Sequence, residues 1–224
     1  MRLAKFVPSV TILFLVSGGT CLAQQSAQVA PGPVPQRGYI SVNAGAVSAP
    51  PTDAGFGVEY GDNVHRNAQA YVSLAYFENL MGQDLRDELV TLGQNLSSTT
   101  GTTWNFSGRD RGVGLTAGGK FLVGAESIRP YIGGGAGVLS IRRTVTEARQ
   151  GNVTAAVFND FSIGDGELAA APASLTRPMV EAILGVGIVK GSTYFDVGYR
   201  YRRVFRLSDG LDFSHLAVGI GYKF

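Results

Sequence analysis

The 224-residue sequence predicts an all-β fold: an eight-stranded antiparallel up-and-down transmembrane β-barrel with long extracellular loops. Three observations carry this. Apolar residues recur at every second position through eight segments, the period of a strand with two unlike faces. Glycine, at 31 residues, is about 14% of the chain, roughly twice its usual share. It gathers on the non-apolar face of those segments. Connections between the segments alternate short and long, the asymmetry of an outer-membrane barrel.

The chain before the first segment reads as an address. Arg2 and Lys5 precede an apolar stretch from Phe6 to Val16, followed by SGGTCLAQQ, which is the layout of a secretory signal. The stretch contains Pro8 and is too short to cross a bilayer as a helix. Residues 1–23 are expected to be removed after Ala23, with Cys21 at the −3 position. Loss of Arg2 and Lys5 from 19 basic residues leaves 17 against 17 acidic ones. A near-neutral mature chain argues against a nucleic-acid partner. Loss of Cys21 leaves no cysteine for disulfides or thiolate chemistry. Residues 24–36 (QQSAQVAPGPVPQ) read as a flexible periplasmic leader, and 37–224 as the barrel domain.

The first strand, Gly38 to Val47, places Ile40, Val42, Ala44 and Ala46 on one face and Ser41, Asn43 and Gly45 on the other. In the second, Ala54 to Gly61, Phe56, Val58 and Tyr60 alternate with Gly57 and Glu59. The third, Asn67 to Glu78, sets Ala70, Val72, Leu74 and Tyr76 against Gln69, Tyr71, Ser73 and Ala75. The fourth, Ser107 to Val123, sets Val113, Leu115, Ala117, Phe121 and Val123 against Gly114, Thr116, Gly118 and Lys120.

The fifth, Ile128 to Arg143, sets Ile132, Gly134, Ala136 and Val138 against Tyr131, Gly133, Gly135 and Gly137. Its phase blurs after Leu139, which predicts a bulge or the membrane edge. The sixth, Arg177 to Val189, shows Val180, Ala182, Leu184, Val186 and Ile188 against Glu181, Gly185 and Gly187. The seventh, Ser192 to Phe205, shows Phe195, Val197, Tyr199 and Tyr201 against Asp196, Gly198, Arg200 and Arg202. The eighth, Leu211 to Phe224, shows Leu216, Val218, Ile220, Tyr222 and Phe224 against His215, Ala217, Gly219, Gly221 and Lys223.

The glycine-rich face makes a poor soluble exterior and a good filling for a narrow barrel, where small residues make room for a few long polar ones. Apolar faces of about five residues, at 3.3 Å rise and about 40° tilt, match the ~25 Å band that lipid requires. The apolar face therefore points outward, to lipid. Tyr60, Phe121, Tyr222 and Phe224 fall at the periplasmic interface, and Tyr76, Tyr199 and Tyr201 toward the outer one.

The ending LAVGIGYKF, with terminal Phe224 and apolar or aromatic residues at Leu216, Val218, Ile220 and Tyr222, resembles an outer-membrane assembly signal. PYIGGGAGV (130–138) and FDVGYRY (195–201) are similar to strands of small OmpA-like and opacity-type outer-membrane barrels. The resemblance implies export across the inner membrane, periplasmic chaperoning and insertion by the barrel-assembly machinery; the loop asymmetry predicts periplasmic termini, and outer-membrane lipid and lipopolysaccharide are the expected partners.

The candidate chemistry is sparse. Gly114 to Lys120 nearly spells a phosphate-binding loop, but Phe121 stands where Ser or Thr is required, and the stretch is a strand. Three Asn-x-Ser/Thr triplets (Asn95, Asn105, Asn152) are common by chance. His65 is expected in a solvated turn. His215 lies near Asp209, Asp212 and Ser214, yet adjacent strand residues point oppositely, which opposes a Ser/His pair. Asp160, Asp165 and Glu167 lack calcium-loop spacing, so no cofactor or metal is expected. Glu59, Glu181 and Asp196 share the inward face with Lys120, Arg200, Arg202 and Lys223. An unpaired ion there costs several kcal/mol, so these should pair with one another and with water.

Exposed function falls to loops 79–106 and 144–176, the expected surface for an extracellular ligand. Asp84 to Leu96 aligns Leu85, Leu89, Leu92 and Leu96, predicting a short helix over the barrel mouth. Thr144 to Thr154, turning near Gln150-Gly151-Asn152, predicts a hairpin extension. Val157, Phe158, Phe161 and Ile163 either pack on the leucine stripe or form a contact surface for host, lipopolysaccharide or another membrane protein. The sequence thus favours a monomeric, non-enzymatic barrel for envelope integrity or surface interaction. The alternatives are a narrow porin-like channel or a lipid-modifying enzyme.

Overall fold

The computed structural model describes residues 38–48, 53–124, 127–154, 175–205 and 211–224. The segments read as signal and leader lie outside these residues. So do Val157, Phe158, Asp160, Phe161, Ile163, Asp165, Glu167 and Asp209.

The elements run β1 (Gly38–Ser48), β2 (Asp53–His65), β3 (Ala68–Phe77), α1 (Gln83–Thr100), β4 (Phe106–Leu122), β5 (Ile128–Glu147), β6 (Gly151–Asn152), β7 (Leu175–Lys190), β8 (Thr193–Val204) and β9 (Leu211–Lys223). Pairing follows the order β4-β3-β2-β1-β9-β8-β7-β5, and β4 pairs with β5 to close the sheet. Every pairing is antiparallel. Eight strands make the wall; β6 is a two-residue arm on the end of β5. Closure removes the free edges that an open sheet would expose.

Burial alternates along β3, β4, β8 and β9, so the period-two pattern of the sequence becomes an inside and an outside. Val42, Phe56, Leu74, Leu115, Ile132, Leu184, Leu216 and Val218 all lie exposed on the exterior. A continuous apolar belt of this extent is not a surface for water. No described helix is long and apolar enough to cross a membrane; the lipid-suited surface belongs to the strands.

Two expectations need correction. The spacing predicts a turn over Asp62 to Arg66, but β2 continues through His65 and the turn itself is Arg66 and Asn67, with a register shift between Asn63 and His65. The Gln69 side-chain amide donates to Asn63 Oδ1 at 2.8 Å, which keeps the strands together past Gly61. The fifth segment has no bulge after Leu139: β5 stays in unbroken register with β4 from Leu122↔Tyr131 to Phe106↔Glu147. The phase looked lost because polarity inverts there. Inward Leu139, Ile141 and Val145 are buried apolar residues, whereas outward Ser140, Arg142 and Thr144 are polar.

The inverted stretch marks an apolar cluster that fills the loop end of the barrel: Val47, Ala75, Phe77, Leu80, Leu139, Ile141, Met179, Val204 and Phe213. Phe77 and Phe213 meet edge to face with centroids 5.0 Å apart, a favourable aromatic geometry. Below it, inward tyrosines lie over inward glycines. A Cβ on Gly198 would stand 2.6 Å from the Tyr131 hydroxyl, and one on Gly118 would stand 2.8 Å from that of Tyr71. Inward glycine is therefore lumen packing: at Gly61, Gly185, Gly187 and Gly198 the missing side chain makes space for a tyrosine, and at Gly45 and Gly137 for the backbone of the neighbouring strand.

Candidate functional site: the lumen and its cover

The inward face gathers charge because small residues on neighbouring strands leave volume for long polar side chains, and a narrow interior makes them meet. Glu59 of β2 is the hub. Its Oε2 accepts from Arg200 Nη2 of β8 at 2.5 Å, and its Oε1 accepts from Lys120 Nζ of β4. Tyr39 Oη donates to the same Oε1 at 2.5 Å. Arg200 Nη1 lies 3.4 Å from Glu181 Oε1 of β7, and Arg202 Nη2 lies 2.5 Å from Glu181 Oε2. Tyr71 Oη donates to Glu181 Oε1 at 2.9 Å. These carboxylates and cations are almost wholly buried. Pairing and hydrogen bonding offset the desolvation that would otherwise exclude them.

Two of the seven lumen charges stand apart from this chain of pairs. Asp196 accepts from the hydroxyls of Tyr131 and Tyr194, each at 3.0 Å. Lys223 lies at the terminal end, in a small gap shared with Tyr39, Gln69, Arg129 and Tyr194. Charge alone on the inward face could not reveal these partners. Of the four tyrosines, alternation placed Tyr71 and Tyr131 on the inward face but did not single out Tyr39 and Tyr194, and the hydroxyls of all four act as donors that only the cross-barrel geometry identifies.

Arg202 stands at the boundary between the charged layer and the apolar cluster. Its guanidinium carbon sits 5.1 Å from the Phe77 ring centre and 5.9 Å from that of Phe213. Cation–π attraction partly replaces lost water there. His215 is also buried at this level, edge-on to Phe77 with centroids 5.9 Å apart. Ser214 points outward and exchanges a hydrogen bond with the Tyr199 hydroxyl at 2.6 Å, while Asp212 faces Arg203 on the exterior. No acyl-transfer constellation forms from these residues. His65 is exposed at the β2–β3 turn. Among the described residues no group of His, Cys, Asp and Glu could hold a metal.

The aromatics assigned to the interfaces all point outward. Tyr60, Phe121, Tyr222 and Phe224 lie at the end that holds the termini and short turns, and Tyr60 stacks on Phe224 with centroids 6.4 Å apart. Tyr76, Tyr199 and Tyr201 lie further toward the loop end. Leu216, Val218, Ile220 and Tyr222 form the exposed face of β9.

A helix covers the inner face of the extended β4–β5 hairpin. α1 runs beyond the predicted Asp84–Leu96 to Thr100, and over the added turn the Ser97, Thr99 and Thr100 hydroxyls donate to carbonyls four residues earlier. Gly101, at φ 67°, closes it in the left-handed conformation suited to glycine. Leu89 is buried with Met81 and Val145, and Leu85, Leu92, Phe106 and Val153 pack around them. The hairpin turns earlier than predicted, at Ala148-Arg149-Gln150, where Glu147 Oε2 accepts the backbone N–H of Arg149 at 2.8 Å and of Gln150 at 2.9 Å. A cleft of about 390 Å³ lies between α1 and Thr103–Phe106, with Trp104 stacked on Phe106.

No protein-family model matches the chain, and no curated protein sequence does. Among solved structures, it is similar to Neisserial surface protein A, at 14% identity and TM-score 0.51 over 84% of this chain and 97% of that one. Ail, the attachment invasion locus protein of Yersinia pestis, aligns at 15% identity and TM-score 0.46 over 84% and 97%. The N-terminal β-barrel domain of Pseudomonas aeruginosa OprF aligns at 10% and 0.45 over 83% and 97%. Closure by β4–β5, the apolar belt and the likeness to the Neisserial protein agree: the chain has the fold of a small eight-stranded outer-membrane β-barrel.

Proposed function

We propose that the protein is an integral outer-membrane barrel serving as a non-enzymatic, non-conducting anchor. It presents α1 and the β5–β6 hairpin at the cell surface for interaction and contributes to envelope integrity. The observation that carries this reading is the filled lumen: a paired charge layer from Lys120 through Glu59, Arg200 and Glu181 to Arg202, with an apolar cluster beyond it. An eight-stranded wall leaves an interior about wide enough for its own side chains, so a filled one transmits little. In this reading a signal at 1–23 exports the chain, the termini are periplasmic, and the outward face of β9 engages the assembly machinery. The barrel functions as a monomer surrounded by outer-membrane lipid and lipopolysaccharide, and a ligand docks on the loops around 79–106 and 144–176.

Planar-bilayer recording tests it. The expected trace is flat; reproducible unitary steps that vanish on Arg200→Ala would establish the narrow-channel alternative. Absence of catalysis is supported by Ser214 and Asp212 lying on the opposite face from His215. Lipid turnover by the purified barrel, abolished by His215→Ala, would overturn that part. Heat-modifiable gel migration of the outer-membrane fraction is expected, and a band that never shifts would refute the barrel in the membrane.

A further inference from the structure

The unbroken β4–β5 register sets Arg111 directly opposite Arg142. Both side chains are exposed on the outward face, Arg111 in line with Val113 and Leu115, and Arg142 in line with Ser140 and Val138. Directly opposed side chains in an antiparallel pair have Cβ atoms about 4.5–5.5 Å apart, where like charges repel. Other outward arginines at this end have a carboxylate. Arg109 Nη1 lies 3.4 Å from Glu78 Oε1, and Arg203 Nη1 lies 3.7 Å from Asp212 Oδ2. Among the described residues, Arg111 and Arg142 have no such partner.

The pair also occupies a particular height. Arg111 is one outward step beyond Val113, whose strand neighbours are Tyr76 and Ser140, and the apolar belt ends at that level. A lipid whose acyl chains lie on Leu115, Val113 and Val138 would bring its headgroup to the two guanidinia. Guanidinium forks match phosphate oxygens in geometry as well as charge. A phosphate between them would turn a repulsive pair into two attractive contacts.

We propose that Arg111 and Arg142 form a clamp for the phosphate of an anionic membrane lipid in the loop-end leaflet. The proposal rests on the lipid-facing reading of the belt. Free phosphate is a poor occupant of so exposed a site, whereas a lipid is held in place by its own chains, so its headgroup is locally concentrated. An acidic protein partner is the competing occupant.

The experiment compares full-length mature barrel, wild type and Arg111→Gln/Arg142→Gln, inserted into three vesicle types: phosphatidylcholine alone, phosphatidylcholine with lipopolysaccharide, and phosphatidylcholine with oleate at matched charge. Insertion is scored by protease protection and stability by the midpoint of the heat-modifiable gel shift. Lipopolysaccharide is expected to raise the wild-type midpoint by about 3 °C, oleate by less, and the double variant by neither. Inorganic phosphate in the buffer should leave the wild-type midpoint in phosphatidylcholine unchanged. Arg142→Glu, which lets Arg111 pair within the wall, is expected to raise the midpoint in phosphatidylcholine and to abolish the lipopolysaccharide shift. An equal lipopolysaccharide shift in wild type and double variant overturns the clamp while leaving the membrane reading intact. An equal shift from inorganic phosphate overturns the lipid source. A wild-type shift produced by an acidic polypeptide and not by lipopolysaccharide transfers the site to a protein and overturns it too. Failure to insert in any vesicle overturns the lipid-facing reading itself.

Discussion

Asp110 and Arg143 face each other across β4 and β5 as a two-pronged ion pair, Arg143 Nε 2.8 Å from Asp110 Oδ1 and Nη2 2.7 Å from Oδ2. Both are buried, and the Asp110 backbone is stitched to the segment that leads into α1. Its carbonyl accepts from Leu80 N at 2.7 Å, and its N–H donates to Asn79 Oδ1 at 3.1 Å. The strand position that carries the pair thus also holds the Asn79–Leu80 segment that leads into α1. Removing one partner of a buried pair costs about 3–5 kcal/mol, because the other charge is left stranded. Asp110→Ala is expected to lower the urea midpoint of the vesicle-inserted barrel accordingly. Asp110→Leu combined with Arg143→Met should recover most of the loss.

Gly198 and Tyr131 supply a test of lumen packing. A Cβ on Gly198 would stand 2.6 Å from the Tyr131 hydroxyl, and its next nearest neighbour is Asp196 Oδ2 at 3.5 Å. Gly198→Ala is expected to destabilise by about 1–3 kcal/mol, the usual cost of overpacking. In a double-mutant cycle, Tyr131→Phe should offset part of that cost, because it removes the atom in the way. Independent, additive effects would place the strain elsewhere.

Two of the inward acids, Glu59 and Asp196, should respond differently to neutralisation. Glu59 holds Arg200 and Lys120, whereas Asp196 accepts hydroxyls from Tyr131 and Tyr194. Glu59→Gln strands buried Lys120 and leaves Arg200 with Glu181 alone, and is expected to cost at least about 3 kcal/mol. Asp196→Asn keeps an acceptor for the tyrosines and should cost about 1 kcal/mol. Unfolding midpoints of the two variants in one lipid decide the order, and equal losses would refute the hub role of Glu59.

His215 is a buried ring in an aromatic surrounding, edge-on to Phe77 and beside Gly55. Replacing a poorly satisfied buried polar group by an apolar one of similar size is often nearly neutral. His215→Leu is accordingly expected to fold within about 1 kcal/mol of the wild type. A severe loss would mean that its ring nitrogens hold a partner essential to the wall.

Wall architecture was legible because it depends on alternation, which is local. Val113, Leu115 and Ala117 read as outward, and Gly114, Thr116 and Gly118 as inward, without knowledge of any neighbouring strand. Reading failed where the surroundings change along one strand. In β5 the inward residues turn apolar at Leu139 and the outward ones polar at Ser140, since the strand leaves lipid and its inner face meets the plug. Alternation persists there, but hydrophobicity ceases to report it. Leucine spacing also announced α1, yet its last turn, Ser97 to Thr100, is made of serine and threonine, which propensity alone ranks as weak helix formers.

The sequence by itself determined that these strands have two faces, that glycine lines one of them, and that seven charges share that face, though it did not single out buried Asp110, Arg143 and Glu147. Tertiary structure alone decided which charge meets which. Glu59 and Arg200 are 141 residues apart, and Tyr71 and Glu181 are 110 apart. Their contact follows from closure between β4 and β5 and from the stagger of eight strands. The same register, invisible in either strand alone, put Arg111 against Arg142 on the outside and Asp110 against Arg143 on the inside. Facing is a property of one strand and follows from its period of two. Partnership is a property of the closed sheet, where a slip of one residue would exchange every pair.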